Sequence, residues 1–258
     1  MNIQDLKDLI CTSFDYKIAL KKYTINHKMP FFSVSDMQLI NIEGREYIVF
    51  FYQGVIVKIH RYFRQKIYAL EEENVKSLIS LQTKRILLPK EPVYDDEGNI
   101  SGYTMSPILN WKEITTMSME TFLNENNLID EDLEYLSESF VKLDDIRPHN
   151  TLYNGKLYFI DSGRFKRITN EKERTKEEYE LIRQRNIAKY NEFVCDYLLY
   201  ALMKGEKKEH KTLYKIKEYL LEYASLEKQK KLIDVIKKDC NKESTLLEYA
   251  KDLKKKAF

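Results

Sequence analysis

The chain has 258 residues, of which 43% are hydrophobic and 33% are charged, and its formal net charge at pH 7 is +2. This composition is that of an ordinary folded protein, and the near balance of 43 basic and 41 acidic residues leaves no global electrostatic footprint for binding nucleic acid. Nowhere do about 18 uncharged apolar residues run together, so the sequence predicts no membrane span.

The cysteines and the N-terminus indicate the compartment. Cys11, Cys195 and Cys240 are odd in number and widely separated, so they suggest neither a disulfide framework nor a cysteine zinc site. Asp5 and Asp8 interrupt the N-terminus where a secretory signal would be basic and then apolar. We therefore expect a cytoplasmic protein.

The first predicted elements are a helical extension and a small sheet. Residues 1–30 are predicted to form the extension. The stretch MQLINIEGREYIVFFYQGVIVKIHRYF, at 37–63, predicts three antiparallel strands, because Val, Ile, Phe and Tyr dominate it. Gly44 and Gly54 stand where the turns of such a sheet are needed.

One helix and a further hairpin follow this sheet. From Tyr62 to about Leu81, apolar residues recur at helical spacing among Glu, Lys and Gln, which predicts an amphipathic helix. The stretch ILLPKEPVYDDEGNISGYTMSPI, at 86–108, then predicts two short strands joined by a turn at DDEGN.

Helices are predicted to dominate the C-terminal part. Ser118 can cap a short helix through Leu123, and Asp130 can cap a second helix. The apolar residues on the inner face of this second helix are Leu133, Leu136, Phe140 and Val141. Almost everything after Arg164 is also predicted to be helical.

A hairpin interrupts these helices and completes the fold prediction. In TLYNGKLYFID, at 151–161, the pair Asn154-Gly155 predicts a type I′ turn between two strands. The order of elements predicts an α+β fold with two lobes that share a cleft. After the extension, residues 31–107 form a small β-rich lobe with one helix, and residues 108–258 form a mainly helical lobe.

The segment LDDIRPHNTLYNGKLYFIDSGRF, at 143–165, carries the chemistry. Asn150 follows Asp145 at a distance of five residues, and Asp161 and Gly163 follow the hairpin. A loop that leads into a hairpin can place these side chains on one rim of a cleft. Magnesium prefers such oxygen ligands together with substrate phosphates, and phosphoryl transfer needs little more than positioning and charge neutralisation.

These residues resemble the protein-kinase superfamily. DIRPHN at 145–150 resembles the catalytic-loop pattern DLKPEN, and DSG at 161–163 resembles the metal-binding DFG turn. The resemblance implies that Asp145 orients or deprotonates the acceptor hydroxyl and that Asn150 and Asp161 hold Mg²⁺. It also implies that Arg147 lies near the transferred phosphate.

The upstream segments extend the resemblance to an ATP site. VIVKI at 55–59 resembles the VAIK strand of kinases, which implies that Lys58 reaches the α- and β-phosphates of ATP. GYTMSPI at 102–108 resembles the hinge strand, which implies that main-chain groups near Met105 bind adenine. Backbone amides beside Gly44 would cover the phosphates.

A glutamate on the helix after VIVKI is expected to hold Lys58. Glu71, Glu72 and Glu73 are the candidates. Glu72 is favoured because it shares a helix face with Val75.

The resemblance predicts an active phosphotransferase that uses ATP and Mg²⁺ and phosphorylates Ser or Thr hydroxyls of a protein. Departures from the pattern keep two alternatives open. The glycine-rich loop has only Gly44, Ser162 replaces the Phe of DFG, and no APE-like segment follows Arg164. The acceptor can therefore be a small molecule, as in aminoglycoside and choline kinases, or the chain can be a pseudokinase that holds nucleotide without turnover. We expect neither a nucleic-acid partner nor a membrane span.

Overall fold

The computed structural model describes residues 16–41, 46–61, 72–117, 121–122 and 129–203, with the main chain alone at 16–17, 72, 115, 195–196 and 198–203. The chain forms two compact units, residues 1–109 and residues 110–258. The fold is mixed α/β, with a curled antiparallel sheet and a few helices.

The first unit is built on a seven-stranded sheet. Its strands are β1 (Lys22–Ile25), β2 (Phe32–Ser33), β3 (Gln38–Asn41), β4 (Tyr47–Tyr52), β5 (Val55–His60), β6 (Pro92–Asp95) and β7 (Ile100–Met105). They pair antiparallel in the order β2-β1-β6-β7-β5-β4-β3. Helix α1 spans Tyr16–Leu20, and helix α2 spans Glu72–Ile79. The three strands predicted from 37–63 and the hairpin predicted from 86–108 are thus confirmed.

Side-chain alternation gives the sheet two apolar faces. On one face, Ile48, Phe50, Val57 and Ile59 are buried together with Ile18 of α1. On the other face, Tyr47, Tyr103 and Met105 are buried with Val75 of α2. Because successive side chains of a strand point to opposite sides, both faces of β4 and β5 are covered by apolar contacts.

The N-terminal helical extension requires a correction. Residues 1–15 lie outside the described part of the chain, and Tyr16–Leu20 is helical, but Lys22–Ile25 is a strand of the sheet. Its sequence KYTI is rich in β-branched and aromatic residues, and Tyr23, Thr24 and Ile25 are buried against β6 and the core. Strand propensity and burial therefore override the expected helix.

The turn between β6 and β7 is organised around the buried carboxylate of Asp95. One oxygen accepts from the main-chain N–H groups of Asn99 at 2.8 Å and Glu97 at 3.1 Å. The other accepts from Lys21 Nζ at 2.5 Å and from Ser101 Oγ at 3.3 Å. Burial acts to raise the pKa of Asp95, but Lys21 and the turn amides outweigh it, so the pKa lies below its ordinary value. The carboxylate thus ties the hairpin to the segment between α1 and β1.

The centre of the sheet requires a glycine at position 102. A Cβ atom built there would lie 1.9 Å from the main-chain oxygen of Lys58 on the neighbouring strand. The close approach of β5 and β7 at this point therefore excludes every other residue.

The described residues of the second unit form two α-helices and several short strands. Strands β8 (Lys112–Glu113), β10 (Thr151–Tyr153) and β11 (Leu157–Phe159) form one sheet, in the order β11-β10-β8. Strands β9 (Val141–Lys142) and β12 (Lys166–Arg167) form another. Helix α3 spans Asp130–Glu138, and helix α4 spans Lys176–Met203. The predicted short helix from Ser118 to Leu123 lies mostly outside the described residues.

Two local predictions in this unit are wrong. Helix α3 ends at Glu138, because Phe140 adopts a left-handed φ of 57° and Val141 begins a strand, so neither belongs to the helix. The hairpin between β10 and β11 exists, but only Gly155 of its turn has a positive φ, at 89°. Because a type I′ turn needs two such residues, the turn is instead a three-residue loop between the paired Tyr153 and Leu157.

Among the described residues, no helix combines the length and the apolarity that a membrane crossing requires.

Replacing Asp95 with Asn should lower the free energy of unfolding by about 2–3 kcal/mol at pH 7, because it removes one charge of a buried ion pair. Since the carboxylate has a lowered pKa in the fold, its contribution is present above the unfolded pKa of about 3.9 and is lost as the pH falls through the folded value. The difference between wild type and variant should shrink accordingly in denaturant titrations below about pH 4.

The matched control is Glu97→Gln. Glu97 is exposed and lies 3.5 Å from the same lysine, so its replacement should change stability by less than about 0.5 kcal/mol. Equal effects of the two substitutions would contradict the role assigned to Asp95.

Replacing Gly102 with Ala should destabilise the first unit by at least about 3 kcal/mol, because two paired strands would have to separate. Gly98 has open space at its Cβ position but a φ of 82°, so Gly98→Ala should cost only about 1 kcal/mol. Thermal unfolding of the two variants measures the difference. If the Gly102→Ala substitution were tolerated, the strands would not be as close as described.

Candidate functional site

The segment 143–165 is a loop whose two ends are held together. It leaves β9 and returns to β12, and these strands pair with Lys142 opposite Lys166 and Val141 opposite Arg167. The hairpin of β10 and β11 lies between them, with Thr151 opposite Phe159. The pairing of β9 with β12 therefore fixes the two ends of the segment, where the loop before the hairpin begins and the turn after it ends.

Asp145 has an unusual backbone conformation at the start of this loop. Its φ is 52°, in the left-handed region that residues other than glycine seldom adopt. Its N–H donates to Asp144 Oδ1 at 3.0 Å. Asn150 Nδ2 donates to the main-chain oxygen of Asp145 at 3.0 Å and lies 3.4 Å from its Oδ2. These contacts support the left-handed conformation, which Asp adopts more readily than most other residues.

Asn150 also connects this loop to the far end of the hairpin. The N–H of Ile160 donates to the main-chain oxygen of Asn150 at 3.0 Å, and Asp161 is the next residue. The main chain therefore links the Asp145 loop to the residue before Asp161. The joint action of the three side chains on one ligand stays a prediction. The side-chain Nδ2 of Asn150 donates to Asp145, whereas its Oδ1 accepts no hydrogen bond from any residue in the described ranges.

The Mg²⁺ site that the sequence predicts stays a prediction. Within the described part of the chain, no group of three or more His, Cys, Asp and Glu side chains could hold a metal ion. The amide oxygen of Asn150 and the carboxylate of Asp161 are the oxygen atoms that would hold the ion. Mg²⁺ commonly takes only one or two protein ligands and completes its octahedron with water and phosphate oxygens, so two such oxygens are compatible with it.

Arg147 lies against Asp145. Its Nε is 3.4 Å from Asp145 Oδ1, and the two side chains are 40% and 27% exposed. The main-chain oxygen of Arg147 accepts from Thr151 Oγ1 and from the N–H of Asn150, both at 3.0 Å. The expected position of the guanidinium near a transferred phosphate stays a prediction, while the contact with the proposed catalytic carboxylate is the observed feature.

Ser162 and Phe165 form the turn that follows Asp161. Ser162 is buried, and its main-chain oxygen accepts from the N–H of Phe165 at 3.0 Å. Phe165 is itself buried. The buried aromatic residue of this segment is thus Phe165, three residues after Ser162, which occupies the Phe position of the DFG pattern.

The sequence reasoning missed Asn186, which supports the loop from α4. Asn186 is fully buried; its Oδ1 accepts from the N–H of Leu143 at 2.9 Å, and its Nδ2 donates to the main-chain oxygen of Val141 at 2.9 Å and to Ser137 Oγ at 3.0 Å. The available signal was its spacing: Asn186 lies four residues after Ile182 and four before Tyr190, on the buried face of the helix. Three bonds from one amide hold the entry to the Asp145 loop.

Lys58 lies in the first unit, in the central strand β5. It is only 6% exposed, so the alternative of an edge-strand lysine that keeps its head in water is wrong. Its Nζ lies 5.4 Å from the centre of the Tyr47 ring and 5.8 Å from that of Tyr103. These rings belong to the face on which Val75 of α2 packs. Lys58 is therefore directed to the helix side of the sheet, with aromatic faces beside its ammonium group.

The other predicted ATP-binding residues of this unit are only partly described. Gly44 and Glu71 lie outside the described residues, as does the side chain of Glu72. Glu73 is exposed. The pairing of Lys58 with Glu72 therefore stays a prediction. Met105 is buried at the end of β7, opposite Ile56.

No protein-family model matches this chain, and no curated protein matches it. The kinase resemblance therefore depends on the motifs and their geometry.

Replacing Asn186 with Ala should destabilise the second unit by about 2–4 kcal/mol, because the N–H of Leu143 and the oxygen of Val141 would lose their partner while buried. Gln184 is exposed on the same helix, so Gln184→Ala should change stability by less than about 0.5 kcal/mol. Urea denaturation measures both, and equal midpoints for the two variants would exclude the anchoring role of Asn186.

Proposed function

We propose that the chain is an ATP- and Mg²⁺-dependent phosphotransferase of the protein-kinase-like type, which transfers the γ-phosphoryl group of ATP to a Ser or Thr hydroxyl of a protein. The single observation that carries the proposal is the double connection made by Asn150. Its side chain reaches Asp145 and its main chain reaches the residue before Asp161. This connection supports the proposal that the three residues act together in phosphoryl transfer.

Within this proposal, Asp145 orients the acceptor hydroxyl and accepts its proton, and it is accessible enough to do so at 27% exposure. Asn150 Oδ1 and the Asp161 carboxylate would hold Mg²⁺, which neutralises the charge that develops on the phosphate oxygens. The left-handed backbone of Asp145 sets the direction of its carboxylate before substrate arrives, so little reorganisation is needed at the moment of transfer.

The first unit supports the proposal through the placement of Lys58. Strands β3, β4 and β5, helix α2, and strands β6 and β7 follow one another with Lys58 on the third strand, which is the order that the kinase resemblance requires. Lys58 would bind the α- and β-phosphates, and Glu72 would hold its ammonium group. Main-chain groups near Met105 would bind adenine, and the segment around Gly44 would cover the phosphates.

A second candidate is a nucleotide-binding protein without turnover. The contact between Arg147 and Asp145 favours it, since a guanidinium held on the carboxylate competes with the acceptor proton. The single glycine of the predicted phosphate loop favours it as well.

The activity test uses γ-labelled ATP with Mg²⁺, with generic protein substrates in one arm and aminoglycoside or amino-alcohol acceptors in another. Protein should be labelled by the wild type, and Asp145→Ala should reduce the rate by about 10²- to 10⁴-fold, the usual contribution of such a base. Asp161→Ala should abolish the transfer, and so should chelation of the metal with EDTA. Glu177→Ala, which removes an exposed carboxylate of α4, should retain the wild-type rate.

The outcomes separate the acceptors and the candidates. Label on the small molecules alone would move the proposal to a small-molecule acceptor. ATP binding that is equal in wild type and Asp145→Ala, without transfer to any acceptor, would establish the second candidate. If neither Lys58→Ala nor Asp161→Ala weakened ATP binding in calorimetry, the assignment of a nucleotide site would be overturned.

A further inference from the structure

Two arginines outside the proposed site are anchored on two adjoining backbone segments of the second unit, at 139–140 and at 168. Arg167 Nε donates to the main-chain oxygen of Ser139 at 3.2 Å. Arg174 Nε donates to the main-chain oxygen of Ile168 at 2.9 Å, and its Cζ lies 5.8 Å from the centre of the Phe140 ring. The N–H of Ile168 in turn donates to the oxygen of Phe140 at 3.0 Å. Both side chains are therefore anchored where these two backbone segments are hydrogen-bonded to each other, and we refer to them as the arginine pair.

The anchoring leaves each guanidinium oriented. In both residues the Nε–H group donates to a main-chain oxygen. Because the guanidinium group is planar, this bond sets the orientation of the whole group. The face of Arg174 rests near the Phe140 ring, which accepts a cation. Two guanidinium groups held in this way are preorganised for the bidentate contacts that arginine makes to planar or tetrahedral oxyanions.

Arg174 forms no ion pair with any residue in the described ranges. Burial lowers the pKa of Arg167, and the positive charge of Arg174 lowers it further. Like charges that are brought together by the backbone repel each other, and a bound anion would relieve that repulsion.

We propose that Arg167 and Arg174 form a binding site for a phosphate group, distinct from the segment 143–163 and independent of its activity. Tyr135 of α3, which is 37% exposed and interacts electrostatically with Arg167, lies at its edge. The ligand is a phosphate monoester or free phosphate. A tetrahedral dianion matches two guanidinium forks better than a single carboxylate does, because it presents more oxygens at the required spacing.

The site is tested by calorimetric titration without Mg²⁺, at constant ionic strength, using inorganic phosphate in one arm and a phosphoserine peptide with its unphosphorylated form in another. Wild type should bind saturably, and Arg174→Ala and Arg167→Ala should each weaken binding about tenfold or more. Arg174→Lys keeps the charge but loses the fork, so it should give an intermediate loss. Arg185→Ala, which removes an exposed arginine of α4, should bind as wild type does.

Each outcome is decisive. Tighter binding of the phosphopeptide than of phosphate identifies a phosphorylated side chain as the source, and equal binding identifies free phosphate. The Asp161→Ala variant should bind phosphate as wild type does, which separates this site from the proposed nucleotide site. Circular dichroism and thermal midpoints establish that the variants are folded. Absence of saturable binding to folded wild type, or an equal loss in Arg174→Ala and Arg185→Ala, would overturn the proposal.

Discussion

The hydrogen bonds of Asn150 are the constraint on which the candidate site depends. Through its side chain, Asn150 holds the main-chain oxygen of Asp145, whose left-handed conformation needs external support. Through its main chain, it holds the end of the hairpin one residue before Asp161. The spacing of five residues between Asp145 and Asn150 therefore allows the hydrogen bond that supports the loop, in addition to any role in binding a ligand. Since the amide N–H is used for structure and the carbonyl is not, one side chain can position a carboxylate and still offer a ligand oxygen.

Strands β9 and β12 and the buried Asn186 of α4 stabilise the two ends of this loop. Strands β9 and β12 close the loop at its base, and the buried amide of Asn186 fixes the point where the chain leaves β9. A buried amide with three satisfied bonds resists displacement because each freed partner would remain buried without a replacement. The start of the Asp145 loop is thus held by a residue of α4 that is more than forty residues away in sequence.

The first unit places a charged side chain where a sheet would ordinarily have an apolar one. Lys58 is buried in a central strand, beside two tyrosine rings and across from the close contact at Gly102. Burying an ammonium group is costly unless it has partners, and the faces of two tyrosine rings lie beside this one. Within the proposed function, Lys58 binds the phosphates of ATP.

The sequence by itself determined strands β3 to β7, β10 and β11, helix α2 and the start of α3, because period and turn residues are local properties. It did not determine that Lys22–Ile25 joins the sheet, that α3 stops at Glu138, or that the turn at Gly155 has three residues. Only the tertiary structure decided those points, and it alone revealed the anchor at Asn186 and the backbone contacts of Arg167 and Arg174. The physical reason is that long-range pairing, burial and backbone capping depend on partners distant in the chain, which no local pattern encodes.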